Sequence, residues 1–427
     1  MASLHWERKW FVLLVLFRPI IDVFYGLQNI SPVLSPLVIV GGLTPIAIVI
    51  SFFSGRMPKY RRVFQDHCML CIALLTTINL IFIGIHGIDY SLMHSGLKML
   101  IAPVIYFYLR RFVKSELDLI GITTTFLYST IFPLVMLLYE RFFGQIGPGQ
   151  MARGLVRFEG LYADVLSYST YINFALLCTG FIFFLSVEYS GRQKRNLMLF
   201  LTVFAICFAA MLSLNHIASW AVFAALVMLN MVFLLNPKSL LAGGVVVLVA
   251  FGVLFLVKDS LGERFDMLTE TERRAFSGEI DRERAMHGRG SIWARYHKRW
   301  EQSSIFAKLF GAGCSISSRP FEEISDSRAA LNMMSGGMHS DYVRFFYGTG
   351  IIGLIAYLFF LISSTWSFFM ADRVFRYLIL GVGGSIMLYS VSTNPFLYAS
   401  ANYFPIAVFV YSALLHERRK YSHRTHY

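Results

Sequence analysis

Long apolar runs separated by short polar breaks fill most of the chain. They fall at about 10–25, 36–54, 67–86, 91–109, 119–139, 166–186, 196–213, 217–236, 239–257, 340–370, 374–391 and 403–416. The runs are continuous rather than alternating, so they predict helices and not the strands of a barrel, whose lipid and lumen faces require a period of two. Most match the roughly 20 residues a helix needs to cross a bilayer. Two features depart from that regularity. The seventh and eighth runs are separated only by Asn215 and His216, and the run at 340–370 exceeds a simple span, so its first part is expected to lie at the interface or to tilt.

Composition agrees with this pattern. Of 427 residues, 56% are hydrophobic and only 15% charged, against about 25% charged in an ordinary soluble domain. A water-soluble globule, a disordered chain and a disulfide scaffold are thereby excluded. The cysteines sit mostly in apolar runs, and the close pair Cys68 and Cys71 opens a hydrophobic segment, where packing is the expected role. The first apolar run leads directly into further spans, so no cleavable leader is expected.

Charge tests the span count independently. If the N-terminus is cytoplasmic, the even-numbered connections carry Arg56/Lys59/Arg61/Arg62, Arg110/Arg111/Lys114, Arg192/Lys194/Arg195, Lys238, Arg373/Arg376 and the tail Arg418/Arg419/Lys420/Arg424. All are basic, as the positive-inside bias requires. With the N-terminus they hold 19 of the 38 basic and 7 of the 25 acidic residues, a surplus of 12 against a formal net charge of +13. The basic balance is therefore topological and gives no reason to expect nucleic-acid binding. The reading is an all-α polytopic membrane protein of about twelve spans with both termini inside. It divides into spans one to nine over 1–257, an outer loop over 258–338, and the last three spans with a tail over 339–427.

The outer loop is unusually long for a connection and carries 13 basic and 12 acidic residues. Apolar residues recur through it at Phe265, Ile280, Trp293, Trp300, Phe306 and Leu309, which predicts amphipathic helices packed on the outer membrane face rather than disorder. No internal repeat is visible.

Three segments on the outer side carry candidate chemistry. The first is Arg153-Gly-Leu-Val-Arg157-Phe-Glu-Gly160-Leu-Tyr162, whose two arginines share a face if the segment is helical and whose guanidinium forks suit phosphate oxygens. The second is Gly288-Arg289-Gly290-Ser291-Ile292-Trp293, followed by Gly311-Ala312-Gly313. Here glycines permit close backbone approach, and Trp293 is placed to stack on a sugar or pack the loop; a plain turn is the competing reading. The third is His339-Ser340-Asp341-Tyr342-Val343-Arg344, followed by Gly348-Thr349-Gly350-Ile351-Ile352-Gly353. A boundary histidine can act as a base near neutral pH, although a lone interfacial histidine is more often structural. At depth, Arg18 and Asp22 are spaced for an intrahelical pair, and Lys98 needs a partner or a water-filled cavity. Glu279-Ile-Asp281 reads as solvated helix, and no zinc spacing, phosphate loop or serine elbow is present.

The order of these segments resembles the O-antigen ligase and polymerase superfamily over roughly residues 150–395. Arg157/Gly160/Tyr162, then Arg289/Trp293/Gly311/Gly313, then His339/Ser340/Asp341/Tyr342 with Gly350/Gly353 carry the likeness. Two positions depart from the family pattern: Leu214-Asn215-His216 stands where members often have Ser-Arg, and Ser340 stands where an Asn is usual. The resemblance implies a C-type membrane glycosyltransferase fold in a bacterial inner membrane, with a periplasmic active site. It would take an undecaprenyl-diphosphate-linked glycan as donor and a glycan or lipid A core as acceptor, with membrane lipid around it and a chain-length regulator as a candidate partner. His339 and Arg289 would be catalytic, Arg157, Arg153 and Arg344 would hold the diphosphate, and Trp293, Tyr342 and Asp341 would pack sugar or loop. Diphosphate is a good leaving group, so neither metal nor other cofactor is expected. Polymerisation of O-antigen or exopolysaccharide is favoured over ligation to lipid A core by the His-Ser-Asp-Tyr form of the third segment. Outside the family, a twelve-helix transporter with a midplane site is the alternative.

Overall fold

A computed structural model describes residues 2–24, 36, 60–86, 90–144, 146, 150–152, 155–157, 161–162, 165–189, 193–214 and 216–234. It also describes 262–263, 266–267, 269–270, 273–279, 293–294, 296–298, 300–311, 340–396 and 399–422. The protein is an α-helical membrane protein. Its helices are α1 (Ala2–Val23), α2 (Phe64–His86), α3 (Tyr90–Leu109), α4 (Glu116–Ser129), α5 (Ile131–Phe143), α6 (Val165–Tyr189), α7 (Gln193–Leu214) and α8 (Ile217–Leu234), then α9 (Ile305–Phe310), α10 (Asp341–Gly348), α11 (Gly350–Trp366), α12 (Arg373–Ser392) and α13 (Ala399–Ser422). Among the described residues, six helical segments are long and apolar enough to cross a membrane: Phe64–Phe82, Glu116–Phe143, Val165–Tyr189, Ile217–Leu234, Gly350–Met370 and Arg373–Ser392. The predicted runs at 36–54 and 239–257 lie outside the described residues, except for residue 36.

One expected break is met, and a second break appears inside a run read as continuous. The seventh and eighth runs part at Asn215–His216, and the 340–370 run is two helices that meet at Thr349 and Gly350. Gly350 sits at φ +73°, in the left-handed region that only glycine adopts cheaply. The departure from an all-helical reading is an antiparallel hairpin of β1 (Gln150–Ala152) and β2 (Leu155–Arg157), in which Gln150 pairs with Arg157. Arg157 is thus in a strand, and the helical spacing expected for it with Arg153 does not hold, because cross-strand pairing replaces the local helical bonds. Arg153 itself is outside the described residues.

Helix α6 is the hub. It is apolar all round, packs against α4, α5, α7, α8, α12 and α13, and is buried along most of its length, as expected of a helix with no polar face. Its hydroxyls do not disturb this packing, because Ser169 and Thr170 bond back to the Leu166 carbonyl and Thr179 to that of Ala175. Small residues bring α12 close. A Cβ at Gly381 would collide with Leu177 of α6, and one at Gly383 with Thr365 of α11.

The helices run up and down, so their ends collect at two faces. One face gathers residues 61–66, 110–118, 363–376 and 411–418. At its centre Arg110, fully buried, pairs with Asp66 through two bonds (Nε–Oδ1 3.0 Å and Nη2–Oδ2 3.1 Å) and reaches Glu417 at 3.1 Å. Asp66 also accepts from the Tyr106 hydroxyl and the Val63 amide, each at 2.8 Å, while the Tyr60 ring lies 4.7 Å from the Arg110 guanidinium. The pair ties α2, α3 and α13 together. The basic connections Arg110, Arg373, Arg376 and Arg418 all lie at this face, with Arg373 donating to the Phe233 carbonyl, Arg376 to that of Phe368 and Arg418 to that of Lys114.

Asp66→Asn leaves Arg110 buried with half its charge partner removed, which costs about 3–5 kcal/mol. The expected result is a clearly lower unfolding temperature in detergent. The double replacement Asp66→Leu with Arg110→Met should recover most of the loss, because it removes the two fully buried charges together and leaves Glu417, whose side chain is 20% exposed, in reach of water.

Candidate functional site

The opposite face holds Asp341, Tyr342 and Arg344, and the cluster they belong to is built around the start of α10. Ser340 caps this helix. Its Oγ accepts from the Val343 amide at 3.4 Å and donates to the Ser390 carbonyl of α12 at 2.9 Å. Asp341 follows in the first turn, where a carboxylate is favoured by the helix dipole. Its amide donates to the Thr393 carbonyl at 3.1 Å, and its Oδ2 accepts from the Phe396 amide at 2.8 Å, the Tyr357 hydroxyl at 3.3 Å and Ser390 Oγ at 3.5 Å. Tyr357 and Ser390 are themselves bonded at 2.7 Å. One short helix is therefore locked to α11, to the end of α12 and to the turn at 394–396.

Arg344 lies one turn beyond Asp341 and is likewise buried, close enough for its charge to act on the carboxylate. Tyr342 donates to the Met387 carbonyl at 3.1 Å, and Phe345 stacks on Tyr357 with centroids 4.3 Å apart. Asp341 is held up at about 7, chiefly because burial disfavours its charged form; the Phe396 amide, Arg344, Tyr357 and Ser390 oppose that rise without cancelling it. Its Oδ1 makes no hydrogen bond among the described residues.

Two further polar groups lie at this face. From the α7–α8 break, His216 Nδ1 meets Ser219 Oγ at 2.6 Å. Asn173 of α6 donates to the Ser219 carbonyl at 3.3 Å and to the Tyr389 hydroxyl at 2.6 Å. On the far side of α6, Arg18 and Asp22 form the expected pair at 2.7 Å, with the Tyr171 hydroxyl on Asp22 at 2.8 Å and the Arg18 guanidinium 5.7 Å from the Tyr403 ring. Tyr162 packs beside them, 5.8 Å from Tyr171. A buried ionic pair in a membrane bundle marks a site worth testing.

Of the residues predicted to act, Asp341, Tyr342 and Arg344 come together in one cluster. His339, Arg289 and Arg153 lie outside the described residues, as does the side chain of Arg157. Trp293 is half-buried at a helical position. Gly311 and Gly350 serve a packing role: at φ +110° and +73° their backbones touch those of Gly348 and Leu309, where any Cβ would collide. Tyr357, Ser390 and the 394–396 turn were not singled out from sequence. The Asn394-Pro395 pair signals a turn but no partner for it, and nothing in the apolar runs marks which hydroxyls face a carboxylate.

Comparison with known proteins leaves this geometry to speak for itself: no protein-family model matches the chain, and no curated protein matches it.

The raised Asp341 sets a pH signature. The folded protein keeps this proton into a range where the unfolded chain has lost it. The carboxyl's contribution to stability therefore falls as pH rises from the ordinary carboxylate range to about 7, and is flat above. Asp341→Asn should remove that slope. The measurement is the wild-type minus variant difference in unfolding temperature between pH 4.5 and 8, and a difference constant across the range would contradict the assignment.

Proposed function

We propose that the protein is a membrane glycosyltransferase that moves a glycan from undecaprenyl diphosphate to an acceptor sugar hydroxyl, polymerising O-antigen or exopolysaccharide repeat units. The observation that carries this reading is the cluster of Ser340, Asp341 and Arg344, buried and immobilised at the face opposite Arg110 and the other basic connections. The outer-segment resemblance supplies the reaction class, and the chemistry of the residues is compatible with it.

On this reading the basic face is cytoplasmic, both termini lie there, the chain crosses the inner membrane twelve times in a C-type arrangement, and the cluster is periplasmic. Arg157, Arg153, Arg289 and Arg344 hold the diphosphate and stabilise the charge that grows on it as the glycosidic bond breaks. His339 accepts the proton of the attacking hydroxyl as the new bond to the anomeric carbon forms. Asp341, two residues on, is a positioning residue: its bonds to Thr393, Phe396 and Tyr357 hold the start of α10 in place. Trp293 and Tyr342 line the approach of the sugars. No metal is needed for a leaving group of this kind.

The test is polymer formation in proteoliposomes supplied with a lipid-diphosphate repeat unit. His339→Ala should reduce product by about 10²-fold or more, the range expected when a general base is lost. Arg344→Lys should weaken donor use more than it weakens folding, because an ammonium lacks the guanidinium fork. Product formation should persist in the presence of a chelator. Full polymer yield from His339→Ala would remove this reading, and transfer only to lipid A core would make the protein a ligase.

A further inference from the structure

Helix α9 belongs to the charged segment between α8 and α10, yet it exposes an apolar face. Ile305 is 78% exposed and Phe306 49%, with Leu309 beside them, while Ala307 is buried against the bundle. The polar side is folded back. Lys308 reaches the Glu301 carbonyl at 2.9 Å and lies over the Trp300 ring at 5.1 Å. Trp300 in turn packs on Phe346 at 5.0 Å, and Tyr296 on Tyr347 at 5.5 Å. The segment thus has Tyr296, Trp300 and Lys308 turned toward α10 or its own chain and a bare apolar edge of Ile305, Phe306 and Leu309, as interfacial helices do.

The level at which α9 docks decides what that edge meets. Asn79 of α2 donates to the Phe310 carbonyl at 2.9 Å. The glycine contact described above, Gly311 on Gly348 and Gly350 on Leu309, seats the same turn against the start of α11. But α2 does not end at Asn79. It runs on to His86, and Ile81 and Ile85 beyond that level are 55% and 71% exposed. At 1.5 Å per residue, six residues carry this apolar surface about 9 Å past the point where α9 docks. Moreover α2 and α11 lie on the perimeter, with Ile355, Phe359 and Ile362 of α11 exposed as well. The bare edge of α9 is therefore level with, and continuous with, the lipid-facing band of two spans.

We propose that residues 300–311 form a membrane hook, with Ile305, Phe306 and Leu309 seated among the acyl chains of the bilayer leaflet at this face and Trp300 with Lys308 at its headgroup level. Phospholipid is the partner. The hook fixes the charged segment to the membrane directly beside α10, and it depends only on the protein's being membrane-embedded, not on the reaction proposed above.

The experiment places the photo-reactive residue p-benzoylphenylalanine at Ile305 of the full-length protein in vesicles of phosphatidylethanolamine and phosphatidylglycerol. Ile81 serves as the lipid-facing reference and exposed Glu301 as the polar one. Phospholipid adducts at Ile305 should match those at Ile81 within about threefold and exceed those at Glu301 by about tenfold, since only a residue below the headgroups meets acyl chains. Adducts to a second copy of the chain, or a yield no higher than at Glu301, would overturn the proposal. A second measurement uses Ile305→Asp with Phe306→Asp. Amide exchange over 300–311 should rise about tenfold while α11 and α12 keep their protection, since the hook opens as a local unit; unchanged exchange there would also overturn it.

Discussion

A charge stripped of water must be answered from within the bundle, and Arg110 shows how this protein meets that demand. Its guanidinium is fully buried, its two bonds to Asp66 and one to Glu417 come from helices distant in the chain, and the Tyr60 ring covers it. Such a pair adds little to stability compared with an apolar substitute, but it makes any other arrangement of α2, α3 and α13 costly, because the arginine would then lie uncompensated in a poor solvent for charge. Once those three helices are set, α11 follows. Gln65 of α2 donates to the Ser363 carbonyl, and Gly353 of α11 lies in contact range of Leu75.

The same rule shapes the opposite face with a different outcome. There the buried carboxylate, Asp341, is met mainly by neutral donors, namely an amide and two hydroxyls, with Arg344 nearby. Neutral donors answer a carboxylate less fully than a forked guanidinium does, so burial prevails and the proton is retained to near neutrality. The two carboxylates thus differ in kind: Asp66 is closed by a forked ion pair, and Asp341 stays poised to ionise. That asymmetry also fits the distribution of basic connections, which gather at the Arg110 face.

Much of the helix framework was legible in the apolar runs. The break at Asn215–His216, the start of α12 near Arg373 and the intrahelical pair of Arg18 with Asp22 all follow from spacing within a single segment, whereas the break at Thr349–Gly350 lay inside a run read as continuous. The hairpin at 150–157 was not legible, since two three-residue strands carry too little periodicity to be told from a loop or a helical turn. Gly311 and Gly350 were visible but ambiguous. A glycine that lets a ligand approach and one that lets a neighbouring backbone approach look the same until the neighbour is in place.

By itself, the sequence determined that the chain folds as apolar helices in a membrane, roughly where most of them begin and end, and which face collects the basic residues. Those properties depend on hydropathy and charge summed over contiguous residues, and contiguous residues are what a sequence displays. Which groups answer one another was decided only by the tertiary structure. Asp66 with Arg110, and Asp341 with Tyr357, Ser390 and the Phe396 amide, meet across gaps of 16 to 55 residues. The periodicity of a helix records that a face is buried, not what it is buried against, and so these pairings exist only once the helices have packed.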